Sequence, residues 1–251
     1  VPAEVVDGLA AAGFDHCSTA SNHTFDRGVP GLEATVERFR QQGMTQHGMA
    51  TAPSEIEPIL LDVGGVRIGH VSATFGYDGA NPPGDEPWRS NRIDVDRLLA
   101  DAQWARDRGA EVVILSLHWG NSSSHRPTDA QRRIAETLQA SGLVDLVIGH
   151  HAHVVQPVEE IGEMWVAWGL GNFISNMPLA EGPFPDEATR DGLLLEVVLT
   201  PQADGTVPVT QVVARPIWVD RDAGWVVRDV ATALQDSELV ARAGRDLMTS
   251  W

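Results

Sequence analysis

The sequence predicts an α/β fold with a covered sheet, on three observations. Amphipathic helical stretches alternate with short apolar runs, the glycines Gly13, Gly109 and Gly142 separate helices from the strands that follow, and strand-like runs dominate from Met164 onward. A chain of 251 residues, 43% hydrophobic, also carries enough apolar material for one large domain, with about 70% of its unfolded surface buried. Residues 1–251 therefore read as a single domain with two sheet layers.

Each element has a local reason. Glu4 to Ala12 has helical patterning and stops at Gly13, and Phe14 to Ala20 reads as a short strand. Pro30, favoured in a first helical turn, opens a helix from about Gly31 to Gln42 that Gly43 ends. Ile59 to Val63 and Val66 to Phe75 read as two strands joined at Gly64-Gly65, a hairpin signal. Gly76 to Asn91 is rich in breakers and reads as a loop. A helix from about Val95 to Arg108 leads through Gly109 to the strand Val112 to Leu117, and a helix from about Thr128 to Ala140 leads through Gly142 to the strand Val144 to Ile148. Met164 to Trp168, Leu193 to Thr200 and Val209 to Val219 follow as strands, and Ser237 to about Met248 as a last helix.

Charge and cysteine usage narrow the function classes. Asp and Glu number 35 against 18 basic residues, all of them arginine, so the formal charge is −17. That balance argues against nucleic acid, whose binders need a basic footprint, and against an anionic membrane surface. A small anionic substrate stays open, because a bound cation can reverse the local field. Cys17 is alone, so no internal disulfide forms, and no run approaches the 18 apolar residues of a membrane span. Val1 enters a helical pattern directly, so the chain reads as a processed or truncated piece, and any signal segment would lie upstream.

Four motifs sit just after strands, where α/β sheets deliver functional side chains. Asn22, His23 and Asp26 fall within five residues of Ser21 to Gly28, as ligands and proton carriers or as a polar turn. His118, in Leu117-His118-Trp119-Gly120, is held rigidly at a strand end, which suits metal ligation, proton transfer or a structural role. Gly149-His150-His151-Ala152-His153 is costly to explain as packing. If the segment is extended, His151 and His153 point the same way and share one metal site, while His150 points away. Gly169-Leu170-Gly171-Asn172 places two glycines beside an amide and allows close backbone approach to a ligand. Asn22, His23, His118, His151 and His153 together supply the nitrogen and oxygen donors of a zinc, manganese or iron hydrolase site. A bridging carboxylate for two ions is missing, Asp26 being the sole acidic residue in these motifs. His16, His47 and His70 alternate with apolar neighbours and need no function, and Cys17 reads as inert.

The ordered set Asn22-His23-x-x-Asp26-x-Gly28, His118-Trp119-Gly120, Gly149-His150-His151-x-His153-Val154 and Leu170-Gly171-Asn172-Phe173 resembles the capsule-biosynthesis CapA (poly-γ-glutamate synthesis) family of the calcineurin-like metallophosphoesterases. Gly13-Phe14-Asp15 and Pro127-Thr128-x-x-Gln131 match as well. The resemblance implies a four-layer α/β/β/α sandwich whose amino-terminal strands are missing here, with two divalent ions (Zn, Mn or Fe) at the strand ends. It implies that Asn22, His118, His151 and His153 are metal ligands, with His118 and His151 on one ion and His153 on the other. His23 acts as acid or charge stabiliser with Asp26, and Trp119, Ser122 and Asn172 line the substrate. A hydroxide held between the ions would attack a phosphoester or related electrophile in line.

Two departures qualify that implication. The family's Gly-Asp strand and second acidic motif precede the region where this chain begins, so either the chain is a fragment or the centre is incomplete. The family's Glu-Tyr after His-Trp-Gly is replaced around Asn121-Ser122-Ser123. His125 either takes part of that role or is an exposed loop histidine. The first expectation is a metal-dependent hydrolase of the cell envelope or exterior, anchored by a missing segment or else cytoplasmic, acting on an anionic small molecule or polymer beside membrane-bound synthase partners. A second is a non-catalytic polymer- or partner-binding subunit of an exopolymer machine, and a third has the histidines hold one structural zinc.

Overall fold

A computed structural model describes residues 3–175, 177 and 187–243. The chain divides into two compact units, Val1–Trp119 with Ile134–Val147, and Gly120–Arg133 with Ile148–Trp251.

In the first unit α1 (Glu4–Ala11) ends two residues before Gly13, whose φ of +88° turns the chain into β1 (His16–Ser18). The second helix, α2 (Gly28–Gln41), begins three residues earlier than Pro30-based capping suggests, and its first residue, Gly28, turns the chain into it at φ +62°, outside right-handed helical geometry. Its Leu32 and Val36 pack with Phe25 and Met49 in one buried cluster. A short strand unmarked in the sequence, β2 (Thr45–His47), pairs in parallel with β1. The Gly64-Gly65 hairpin is found as expected: β3 (Ile59–Val63) and β4 (Val66–Thr74) are antiparallel, with both turn glycines at positive φ.

Helix α3 (Val95–Asp107), capped by Asp94 on the Arg97 N–H, packs on β4 and on β5 (Val112–His118), which runs parallel to β4. The approach is close because Gly69 of β4 faces Ala105: a Cβ added there would lie 2.6 Å from the alanine methyl. The strand order in this unit is β3-β4-β5, followed by β6 (Leu146–His150), which begins two residues later than the sequence predicts and so takes in His150.

Helix α4 (Asp129–Ser141) opens in the second unit with a reciprocal cap. Gln131 Oε1 accepts from Thr128 N–H at 2.8 Å and the Thr128 hydroxyl accepts from Gln131 N–H at 3.2 Å, which explains the Thr-x-x-Gln pattern. The second unit pairs β7 (Val158–Ile161) with β8 (Met164–Ala167) as a hairpin. It also builds an antiparallel sheet from β9 (Asp191–Leu199), β10 (Val209–Asp220) and β11 (Val226–Asp229). Two short helices, α5 (Val230–Ala233) and α6 (Ser237–Ala243), close the described chain, and Val230, Ala233 and Leu239 bury Trp218. The last residues of the expected helix, up to Met248, lie outside the described residues. No helix among the described residues is long and apolar enough to cross a membrane.

Candidate functional site

The first unit brings together Asn22, His23, Asp26 and His118. Ser21 to Arg27 is a chain of turns, with Thr24 N–H bonded to Ser21 O and Gly28 N–H to Phe25 O, pinned by Phe25, which is buried against Tyr77. Asn22 is only 5% exposed, and its Oδ1 lies 2.8 Å from His118 Nε2, the last residue of β5. The amide orientation is set from behind: Nδ2 donates to Asp78 Oδ2 at 2.6 Å, and Asp78 N–H donates to Asn22 O at 2.8 Å. Phe75 stacks on His118, with ring centroids 6.2 Å apart and planes at 8°. Asp78 stands in the breaker-rich loop, and nothing in the sequence marked it.

His23 is 61% exposed, and its Nδ1 faces both Asp26 carboxylate oxygens at 3.0 and 3.2 Å. Asp26 thus engages the His23 imidazole. A carboxylate there fixes the tautomer with Nδ1 protonated and leaves Nε2 for proton transfer. A cavity of about 420 Å³ opens beside this pair, walled by Val5, Val6, Leu9, Phe39 and Met49. Trp119, by contrast, is buried at 2% exposure.

The second unit holds Ser122, His151, His153 and Asn172. The extended geometry expected for His151 and His153 is overturned: the segment bends, with φ of +87° at His151 and +60° at His153. Non-glycine residues rarely adopt this region, and two in three positions mark a loop held by its surroundings. Ala152 and Val154 hold it, both buried in one cluster with Ala188, as does the Ser123 N–H on Ala152 O at 2.8 Å. The two rings still come near each other, centroids 6.1 Å apart and tilted by 54°, through turn geometry and not through strand period.

Asn172 Oδ1 lies 3.0 Å from His153 Nδ1, while its Nδ2 donates to His153 O and Thr189 O at 3.2 and 2.9 Å. With the amino group so placed, His153 Nδ1–H must donate, and Nε2 carries the lone pair. Ser122 Oγ stands 3.2 Å from His151 Nε2. The glycines beside Asn172 do allow close approach, but to the chain itself: a Cβ on Gly171 would lie 2.4 Å from Asp191 O. His150 ends β6 with its Nε2 buried and unbonded among the described residues, and burial pushes its pKa down to about 4, so it stays neutral. His125 is exposed, its Nδ1 on Val155 O at 2.9 Å.

The donors fit a divalent cation in pairs. Asn22 Oδ1 and His118 Nε2, hydrogen-bonded to each other at 2.8 Å, are an amide oxygen and an imidazole nitrogen of the kinds a divalent cation takes, and an amide fixes His153 as metal-binding histidines usually are. Among the described residues, no group of three or more His, Cys, Asp or Glu side chains is gathered around one ion position.

Residues 1–177 match the family model described as Bacterial capsule synthesis protein PGA_cap. The chain is 27% identical over 220 residues to the PGA biosynthesis protein CapA of Bacillus subtilis, covering 83% of this chain and 53% of that protein. To the Bacillus anthracis capsule biosynthesis protein CapA it is 28% identical over 176 residues, covering 68% of this chain and 42% of that one. It therefore spans about half the length of these relatives. A solved calcineurin-like phosphoesterase of Bacillus subtilis shares the fold, with a TM-score of 0.55 at 14% identity over 98% of this chain and 73% of that one.

Proposed function

The chain belongs to the bacterial capsule synthesis family PGA_cap and has a calcineurin-like phosphoesterase fold, and from that premise we propose that it is a metal-dependent hydrolase. Its bond is a phosphoester or a related electrophile, and its setting is the making or processing of an anionic exopolymer at the cell envelope, beside a membrane-bound synthase. The observation that carries the reading is the left-handed backbone at both His151 and His153. Packing alone gives no reason to strain two histidines two positions apart, whereas presenting both rings to a ligand does.

Asn22 with His118 and His151 with His153 are the residues that would hold zinc, manganese or iron ions. Such ions, when bound, supply Lewis acidity and lower the pKa of water. His23, oriented through Nδ1 by Asp26, presents Nε2 as the atom that exchanges a proton with the reacting oxygen. The cavity beside it suits an apolar portion of the leaving group. Asn172, assigned to substrate from sequence, acts through His153 in this reading, and Ser122 acts through His151. The buried Trp119 supports the loop after β5 in preference to touching substrate.

Metal analysis of the purified protein, with hydrolysis of bis(p-nitrophenyl) phosphate in Mn²⁺, tests this. Bound divalent metal and turnover are expected, with His151→Ala lowering turnover at least about 100-fold. A wild type that takes up no metal, and that His151→Ala leaves unchanged, overturns the reading.

A second reading, the non-catalytic polymer-binding subunit, is favoured by the lack of any three-residue His/Cys/Asp/Glu group among the described residues. It expects bound polymer without turnover.

A further inference from the structure

We propose that Asp78 is a positioning residue that locks the Asn22 amide with its oxygen toward His118, and that this lock sets the affinity of the Asn22–His118 pair for a divalent cation. The affinity half rests on the metal-dependent reading above. The residue itself lies outside all four motifs.

An asparagine amide presents two faces of nearly equal size, and a half-turn about Cβ–Cγ exchanges one for the other. One face carries lone pairs that can ligate a metal, and the other carries an amino group that cannot. Which face meets His118 is decided by the partner on the opposite side. A carboxylate only accepts, so Asp78 Oδ2 at 2.6 Å from Asn22 Nδ2 requires the amino group there and leaves Oδ1 at 2.8 Å from His118 Nε2. The remaining amide proton points to His23 Nε2, 3.4 Å away, which the same orientation permits.

The clasp is reinforced by the backbone, with Asp78 N–H on Asn22 O at 2.8 Å. Three residues earlier, Phe75 N–H bonds His118 O at 2.9 Å while the ring stacks on the imidazole. Residues 75–78 thus grip both donors of the pair. A carboxylate accepting from the amide also polarises it and makes Oδ1 a better donor, as outer partners of ligating groups do. An amide oxygen beside an imidazole nitrogen suits manganese, iron or zinc.

The test titrates Mn²⁺ alone into metal-free wild type, Asp78→Asn and Asp78→Glu by calorimetry, with thermal unfolding as the fold control. The side-chain NH₂ resonances of Asn22 in the metal-free protein report the lock directly. Asp78→Asn can present either face to Nδ2, so it is expected to move those resonances and weaken Mn²⁺ binding about 10- to 100-fold, with little change in unfolding temperature. Asp78→Glu, which keeps the acceptor, is expected to recover part of the affinity. Unchanged resonances and unchanged affinity in Asp78→Asn overturn the proposal. Lost affinity with unmoved resonances also overturns it, making Asp78 a ligand in its own right. A wild type that binds no Mn²⁺ overturns the metal-dependent reading and the affinity half together, while the metal-free resonances judge the lock separately.

Discussion

His16, His47 and His70 come from three separate strands and meet inside the first unit. His16 Nε2 faces His70 Nδ1 at 2.9 Å, and the outer nitrogens of this pair reach Thr45 Oγ1 at 2.7 Å and Ser116 Oγ at 2.9 Å. His47 Nδ1 accepts from Ser72 N–H while Nε2 donates to Glu57 O, so a second proton on His47 would aim one N–H at another. Burial holds both His16 and His47 at a pKa of about 4, against 6.5 for an ordinary histidine, and for His47 the charges of His16 and Arg97 push the same way. A folded pKa below the unfolded one means that the unfolded chain takes up protons first as pH falls. Stability from these groups is therefore complete above pH 6.5 and lost progressively toward pH 4, on the order of 3 kcal/mol for His47. Asp101 and Asp145, whose carboxyl pKa values burial raises, work in the opposite direction. Urea unfolding from pH 7 down to pH 5 isolates the histidine contribution when wild type is compared with His47→Gln. The variant is expected to lose part of the slope, and equal slopes would remove this account. Alternation with apolar neighbours made these residues look inert in sequence, because no local pattern says that positions 16 and 70 will touch.

Elements with strong local signals were legible, and those set by tertiary context were not. The Gly64-Gly65 hairpin and the helices α3 and α4 follow from neighbouring residues alone. Thr45–His47 and Val158–Ile161 are three or four mixed residues whose strand state depends on a partner, so periodicity could not mark them. The glycines around Asn172 show the same limit. Sequence gave them room for a ligand, whereas the room is taken by β9: Gly171 bridges Gly192, and a Cβ on Gly192 would lie 2.3 Å from Asn172 O. Gly192→Ala must therefore displace either β9 or the residue that holds His153. It is expected to destabilise the protein by about 2 kcal/mol or more and to shift the His153 ring resonances. Gly142→Ala is the control, since φ is +64° there and nothing lies within 4 Å of the added carbon. Only the backbone conformation resists that change, at about 1 kcal/mol, with His153 undisturbed. Equal destabilisation by the two variants would show that close approach at β9 is not what holds the Asn172 loop.

At the scale of the whole molecule, a charge of −17 opposes any polyanionic partner. The proposed function nonetheless has such a partner, and the Bacillus subtilis relative is named for PGA biosynthesis. The conflict resolves if cations held by the histidine-bearing turns invert the field locally, so that a carboxylate or phosphate meets positive charge in one place only. Binding of poly-γ-glutamate should then require divalent metal and weaken as salt rises, because the attraction acts between partly exposed charges. Co-sedimentation of the chain with the polymer is expected in Mn²⁺ at low salt and should vanish in EDTA. His151→Ala should lose it even with Mn²⁺ present, because a general change in net charge is indifferent to one neutral side chain. Polymer bound without release of shorter chains would favour the binding-subunit reading, and shortened polymer the hydrolase. Binding that is equally strong in EDTA would eliminate the cation bridge, since nothing in a net charge of −17 attracts a polycarboxylate.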